Sequence, residues 1–341
     1  MSPGPLALVH GSPGGQASLF ENRGRYHDLL AGRFGRRFLD YRAAWDRASL
    51  RQDPGPFPLS LDLAINSGCQ LSCLMCPLPS RPAARRYEPM DEGLFLGLMA
   101  QARERALPAL TLGLASEPLL NPAAARYASL ADRAGIMDIR LGTNGQALDG
   151  PAIDQILDSG LTRLEISLDA ADGATYQGIR QGGSFSRVTG AIDLFLERRA
   201  ARGLTWPLLR LSFLELPGNR GQLPLFLARW GQAADMVAIQ RPIWFPGSRL
   251  EKPSPPTGPP PAGPNPGQAV CPQPWQRLGL DHLGLAWPCC SWYGQGLLGL
   301  SAASLDVASI WGSDGLSVLR AAHLGGRLPG PCRECALSGA L

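Results

Sequence analysis

Three thiols stand close together in the stretch Cys69-Gln70-Leu71-Ser72-Cys73-Leu74-Met75-Cys76, directly after the apolar run Leu59 to Ile65. Three thiolates hold three irons of a cubane 4Fe-4S cluster, whereas a cluster ligated by protein alone takes four. The remaining iron then stays open to a small chelating ligand. A structural zinc closes its tetrahedron with four side chains, and no His or fourth Cys lies within twenty residues on either side of this stretch. A disulfide framework needs an oxidising compartment, and the apolar core Leu6 to Val9 is too short for a signal peptide.

The other cysteines are Cys271, Cys289, Cys290, Cys332 and Cys335, with none between 76 and 271. Eight cysteines gathered in two groups point to two metal sites in a reduced compartment. In the second group, two distant Cys and the pair Cys332-Arg333-Glu334-Cys335 suit a tetrahedral zinc or a second cubane. Other chemistry drops out. The one lysine, Lys252, lies in a Pro-rich segment, which leaves Schiff-base chemistry and a Walker-type phosphate loop without a usable residue. A net charge of +4, carried by scattered arginines such as Arg36-Arg37 and Arg85-Arg86, fits a solvated surface and no nucleic-acid partner. No apolar run approaches a membrane span, so a cytoplasmic protein without membrane contact is expected.

The elements that must position these thiols follow from periodicity. Strand-like runs at Leu59 to Ile65, Leu110 to Leu114, Asp138 to Gly142, Arg163 to Leu168, Leu208 to Leu214 and Met236 to Ile239 are separated by helical stretches near 91–106, 123–135, 151–159, 186–203 and 221–234. Repeated strand-helix units imply a parallel α/β sheet with right-handed crossovers. Upstream, Tyr26, Leu29, Leu30, Phe34, Phe38, Tyr41 and Trp45 recur at three- and four-residue steps from Asn22 to Leu50, a helical face whose aromatic stripe suits packing. The sequence therefore divides into a tail and helical extension (1–57, with 1–20 mobile or extended), an α/β unit (58–250), a Pro-rich connector (251–268) and a small C-terminal unit (269–341).

The CxxxCxxC spacing after a first strand resembles that of radical SAM enzymes, and further segments agree. Ala115-Ser116-Glu117-Pro118 at the end of the second strand is similar to the family's Gly-Gly-Glu-Pro turn, with Ala115 and Ser116 in place of the glycines. The resemblance implies that backbone carbonyls there and Glu117 receive the ammonium of S-adenosylmethionine (SAM). It also implies that Thr143-Asn144 and Ser167-Leu168-Asp169 contact the ribose and carboxylate, and that Arg180, unless a plain surface residue, clamps the carboxylate. Gln240 is a further candidate for the SAM or substrate pocket. The family likeness implies a partial (β/α)6 TIM-like barrel with its chemistry at the C-terminal ends of the strands.

The second cysteine group, with Trp311 and Leu319-Arg320 ahead of the last pair, resembles a twitch or abbreviated SPASM domain. That likeness implies an auxiliary 4Fe-4S cluster on Cys271, Cys289, Cys332 and Cys335. It leaves Cys290 either buried beside the cluster or handing a hydrogen atom or proton to the substrate. The activity implied is reductive cleavage of SAM to a 5'-deoxyadenosyl radical and hydrogen abstraction from a ribosomally made peptide, or from a small polar metabolite such as an aminocyclitol. Partners implied are a reductant such as flavodoxin or ferredoxin and, for a peptide, a separate leader-peptide-binding protein. A non-catalytic metal-binding scaffold is the rival reading.

Overall fold

A computed structural model describes residues 18–21, 24–80, 87–245, 247–251, 271–292 and 299–337. The expected Pro-rich connector, from 252 onward, and residues 1–17 of the expected tail lie outside them.

The strands are β1 (Ser18–Glu21), β2 (Ser60–Leu63), β3 (Ser72–Cys73), β4 (Ala109–Leu112), β5 (Asp138–Thr143), β6 (Arg163–Ser167), β7 (Arg180–Gln181), β8 (Leu208–Leu214), β9 (Met236–Gln240), β10 (Arg277–Leu280) and β11 (Ala286–Trp287). Nine of them form one sheet in the order β1-β9-β8-β6-β5-β4-β2-β10-β11. The seven inner strands are parallel; β1 and β11 run antiparallel on the two edges. Helices α1 (Gly24–Phe34), α2 (Arg36–Arg51), α3 (Glu92–Glu104), α4 (Ala124–Arg133), α5 (Gly150–Leu157), α6 (Gly173–Ile179), α7 (Phe185–Ala201), α8 (Leu223–Trp230), α9 (Gln273–Gln276), α10 (Val307–Trp311), α11 (Asp314–Leu324) and α12 (Gly330–Leu337) complete the described chain. This is a mostly parallel α/β sheet of the partial TIM-like kind. Among the described residues no helix is long and apolar enough to cross a membrane.

Local chemistry sets the boundaries. Asp91, Asp149, Asp172 and Ser184 each accept a backbone N–H of the first helical turn, starting α3, α5, α6 and α7 on an N-cap. The helix expected over Asn22 to Leu50 is two helices, because Gly35 turns the chain at φ 57 between them. Residues 18–21, read from sequence as the end of a tail and its approach to a helix, instead pair with β9 and cap that edge. Four residues carry too little pattern to announce a strand.

Side chains alternate along each strand. Leu61, Leu110, Ile139, Leu141, Leu164, Ile166, Leu209, Leu211, Val237 and Leu278 are buried in one apolar core cluster. The residues between them point to the other face and are polar. Arg277 meets Asp62 at 3.0 Å, and Glu165 accepts Arg210 at 2.6 Å and faces Arg140 at 3.5 Å. Below this row, Tyr26, Leu30, Phe38 and Tyr41 of α1 and α2 pack against Ala109, Met137, Leu208 and Met236 at the strand starts. The expected aromatic stripe is thus a plug for one end of the sheet, and the opposite end is left for chemistry.

Glu165 is the shared partner of two buried guanidinium groups. Glu165→Ala should destabilise the protein by about 3–5 kcal/mol, because it removes the carboxylate that Arg210 and Arg140 share. The triple change Glu165→Leu with Arg140→Met and Arg210→Met should recover most of that loss. Urea unfolding measures both, and equal midpoints for wild type and Glu165→Ala would contradict the pairing.

Candidate functional site at the strand ends

The Cys69 loop leaves β2 at its C-terminal end and is pinned by backbone. Ser72 and Cys73 pair antiparallel with Gln181 and Arg180, and Leu74 N–H donates to Ile179 carbonyl at 2.9 Å. Arg249 adds a clamp from far along the chain. Its N–H donates to Leu74 carbonyl at 2.8 Å, and its guanidinium to Gln181 Oε1 at 2.6 Å and to Ser72 carbonyl. Arg249 was not singled out from sequence, and no helix was expected over Gly173–Ile179.

The sulfurs are supplied with donors. Cys69 Sγ accepts Leu71 N–H at 3.4 Å and Asn144 Nδ2 at 3.5 Å, and Cys76 Sγ accepts Leu78 N–H at 3.4 Å. Arg180 Nη1 lies 3.9 Å from Cys73 Sγ. Burial, with Glu117 and the other two cysteines adding repulsion, pushes the Cys69 thiol up to about 12. The three sulfurs therefore act on one another electrostatically. Bound iron would replace their protons, and the N–H donors around them stabilise the thiolate form. Among the described residues no three His, Cys, Asp or Glu side chains converge as a single metal ion requires. Three thiols, each beside an N–H donor or a guanidinium, are a donor set that suits a cubane with one iron left open.

Glu117 organises the neighbouring strand ends. Its carboxylate accepts Thr143 Oγ1–H at 2.5 Å, Asn144 N–H at 2.7 Å and Leu119 N–H at 3.1 Å. Its backbone carbonyl accepts Asn66 Nδ2 at 2.5 Å, while its N–H donates to Gly68 carbonyl at 2.8 Å. Asn66, also missed in the sequence, stands in an Asx turn, taking Gly68 N–H at 2.8 Å. Glu117 is 2 % exposed, and burial lifts its carboxyl to about 6 against the pull of these donors. Its oxygens thus act inward, as a brace for Thr143 and Asn144.

The turn before Glu117 fits an approaching ligand. Gly113 adopts φ 120, and a Cβ there would stand 2.6 Å from Gly142 carbonyl oxygen, so the position requires glycine. Ala115 takes φ 44, the left-handed region its place in a Gly-Gly-Glu-Pro-like turn calls for. Ser116 Oγ is buried without a hydrogen-bond partner, an orphaned polar atom beside the three sulfurs' braces.

Asp169 and Arg180 come together. Asp169, at φ 57 and fully buried, accepts Leu214 N–H at 2.7 Å and pairs with Arg180 at 2.5 Å. Arg180 is mostly buried, its side chain 12 % exposed, and its guanidinium joins Asp169 to Cys73. Ser167 lies one strand over, 3.4 Å from Ser212 hydroxyl. Gln240 closes β9, with β8, β6, β5 and β4 between it and β2.

Four cysteines of the second group share one cavity. Cys271, Cys289, Cys332 and Cys335 line this small cavity, with Trp292 and His323, and it is partly open to solvent. Burial, with repulsion from Cys335, Cys332 and Cys290, pushes Cys271 up to about 12. Trp292 Nε1–H donates to Cys332 Sγ at 3.3 Å. Cys290 is half-buried and close enough to act on the charge of Arg277. Because β10 is parallel to β2, this group flanks the starts of the strands and the Cys69 loop their ends.

Residues 63–205 match the family model of the Radical SAM superfamily. Over 168 residues the chain is 29% identical to a GTP 3',8-cyclase of Chlorobaculum tepidum, covering 48% of this chain and 48% of that protein. The chain thus spans about half the length of the curated relatives it matches. Among solved structures it resembles Streptococcus suis SuiB bound to precursor peptide SuiA, at TM-score 0.61 and 14% identity, covering 89% of this chain and 74% of SuiB. It also resembles anSMEcpe with bound AdoMet, at TM-score 0.57 and 11% identity, covering 76% of this chain and 82% of that one. At these identities the likeness is one of fold.

Because the folded state holds the Glu117 proton more tightly than the unfolded chain, stability falls by about 2 kcal/mol as pH rises through 4.5 to 6. Glu117→Gln should remove that slope from the unfolding profile. At neutral pH Glu117→Ala should cost about 3 kcal/mol or more, since three buried donors lose their acceptor; a loss below 1 kcal/mol would refute the brace.

Proposed function

We propose that this chain, which carries a radical SAM domain over residues 63–205, binds a 4Fe-4S cluster and SAM at its strand ends and abstracts a hydrogen atom from a peptide substrate. The observation that carries this reading is the gathering of Cys69, Cys73 and Cys76, each sulfur beside an N–H donor or guanidinium, next to a turn with a buried orphan hydroxyl at Ser116. Cys69, Cys73 and Cys76 would hold the cluster. When bound, it supplies the electron that cleaves SAM to a 5'-deoxyadenosyl radical.

The chain's own residues then have distinct tasks. Arg180, held by Asp169, keeps positive charge at Cys73 and offers a guanidinium to the SAM carboxylate. Glu117 fixes Thr143 and Asn144, and through Asn144 the sulfur of Cys69. Ser116 and the carbonyls of the turn remain to receive the SAM ammonium. Ser167 and Gln240 complete the proposed pocket from β6 and β9.

A second cluster on Cys271, Cys289, Cys332 and Cys335 belongs to the same proposal, supported by their shared cavity. Three of the four, Cys271, Cys332 and Cys335, are buried. Cys290, beside Arg277 at the strand starts, is proposed to pack next to this second group and not to hand a hydrogen atom or proton to a substrate at the strand ends. A peptide substrate is favoured by the fold likeness to SuiB bound to its precursor peptide, which covers 89% of this chain. GTP is the second reading, favoured by the relatives that match in sequence.

Anaerobic reconstitution followed by SAM and dithionite should release 5'-deoxyadenosine, and Cys73→Ala should reduce that release to background. A scaffold would release none in either form. GTP consumed in step with 5'-deoxyadenosine would select the second reading; a mass change in a precursor peptide encoded beside the gene would select the first. Cys290→Ala should leave product and turnover unchanged; loss of product with the cluster intact would contradict its packing role.

A further inference from the structure

His323 is buried to 1 % exposure on α11, and neither ring nitrogen has a hydrogen-bond partner. Every imidazole, in either neutral tautomer or charged, carries at least one N–H. Burying such a donor with no acceptor costs about 1–3 kcal/mol, so a native position like this points to an acceptor yet to arrive. The ring lines the same cavity as Cys271, Cys289, Cys332 and Cys335, held there by an edge-on contact with Trp275 at 6.1 Å and 87°.

A second observation sits one turn back on the same helix. Arg320 is 8 % exposed and donates to Pro274 carbonyl at 2.9 Å and Trp311 carbonyl at 3.0 Å, while its Nη2 has no hydrogen-bond partner. No carboxylate faces it among the described residues. A buried cation without a counter-charge is unfavourable unless an anion lies near. Four thiolates around an iron-sulfur group supply a net negative charge and sulfur acceptors at once.

We propose that His323 donates an N–H···S hydrogen bond to the iron-sulfur group held by Cys271, Cys289, Cys332 and Cys335, and thereby raises its reduction potential. The proposal rests on the auxiliary-cluster reading. His323 is a tuning residue that acts through the cluster and does not ligate iron. Hydrogen bonds to the sulfurs are among the levers that set such potentials, because they disperse the charge added on reduction.

The test uses the full-length chain with Cys69, Cys73 and Cys76 changed to Ala, reconstituted with iron and sulfide, so that the remaining signal comes from the second group. Absence of a cluster in this protein would overturn the auxiliary-cluster reading itself, and the proposal with it. If the cluster is present, EPR-monitored redox titration should show His323→Leu harder to reduce. The expected change is about tenfold in the oxidised-to-reduced ratio at fixed potential, which is about 59 mV for one electron. His323→Gln, which keeps an N–H donor, should lie between the two. An unchanged potential in His323→Leu overturns the proposal. Should the leucine variant fail to hold its cluster, pulsed EPR on the protein with His323 intact and 15N-labelled histidine decides. A weak nitrogen coupling supports the hydrogen bond; no coupling, or the strong coupling of a direct ligand, overturns it.

Discussion

The end of a parallel sheet exposes loops that have no ladder to hold them, and here one buried carboxylate takes over that task. Glu117 leaves β4, receives backbone and hydroxyl donors from the end of β5, and is held through its own peptide by Asn66 and Gly68 after β2. Three strand ends are thereby fixed to one residue. Asn144, positioned by this brace, reaches Cys69 Sγ and Gln70, so the hydrogen-bond network runs unbroken from the sheet to the first sulfur. A charged acceptor shared by three donors is stronger than neutral hydrogen bonds in its place, which suits a site that must hold sulfurs still.

The opposite end of the sheet obeys a different constraint. The inner face of the strands carries alternating charge, from Arg277 and Asp62 to Arg140, Glu165 and Arg210. Those groups need partners and exclusion of water, and the aromatic plug of α1 and α2 closes the end below them. Tyr26 extends the same logic, donating to Asp138, which also pairs with Arg163 at 3.5 Å. Stability is thus concentrated at the strand starts and chemistry at the strand ends, the division that parallel α/β folds favour.

The two sulfur groups are related through one strand pairing. β10 lies on β2 in parallel register, Arg277 beside Ser60 and Leu280 beside Leu63, so the residues after 270 extend the main sheet. The shared pairing sets at least the length of the strand between the two groups, four residues at roughly 3.3 Å each or about 13 Å. Gln276 secures this arrangement by donating to Trp45 carbonyl and Ser49 of α2. The helical plug therefore braces the second sulfur site as well as the sheet.

The sequence by itself determined the six inner strand-helix repeats, because apolar periodicity is a local signal that needs no distant partner. It likewise set the grouping of Cys69, Cys73 and Cys76, whose spacing survives any arrangement of the rest. Only the tertiary structure decided that β1 would cap β9, that β10 would dock on β2, and that Gly35 would split the first helix. It alone turned Arg180 from an ambiguous arginine into a mostly buried partner of Asp169, and Glu117 into a brace. His323 and Arg249 were invisible in the sequence for the same reason: their meaning lies in neighbours far along the chain. Pairings between distant segments depend on which buried donors and acceptors the fold brings within about 3 Å, and no periodicity encodes that.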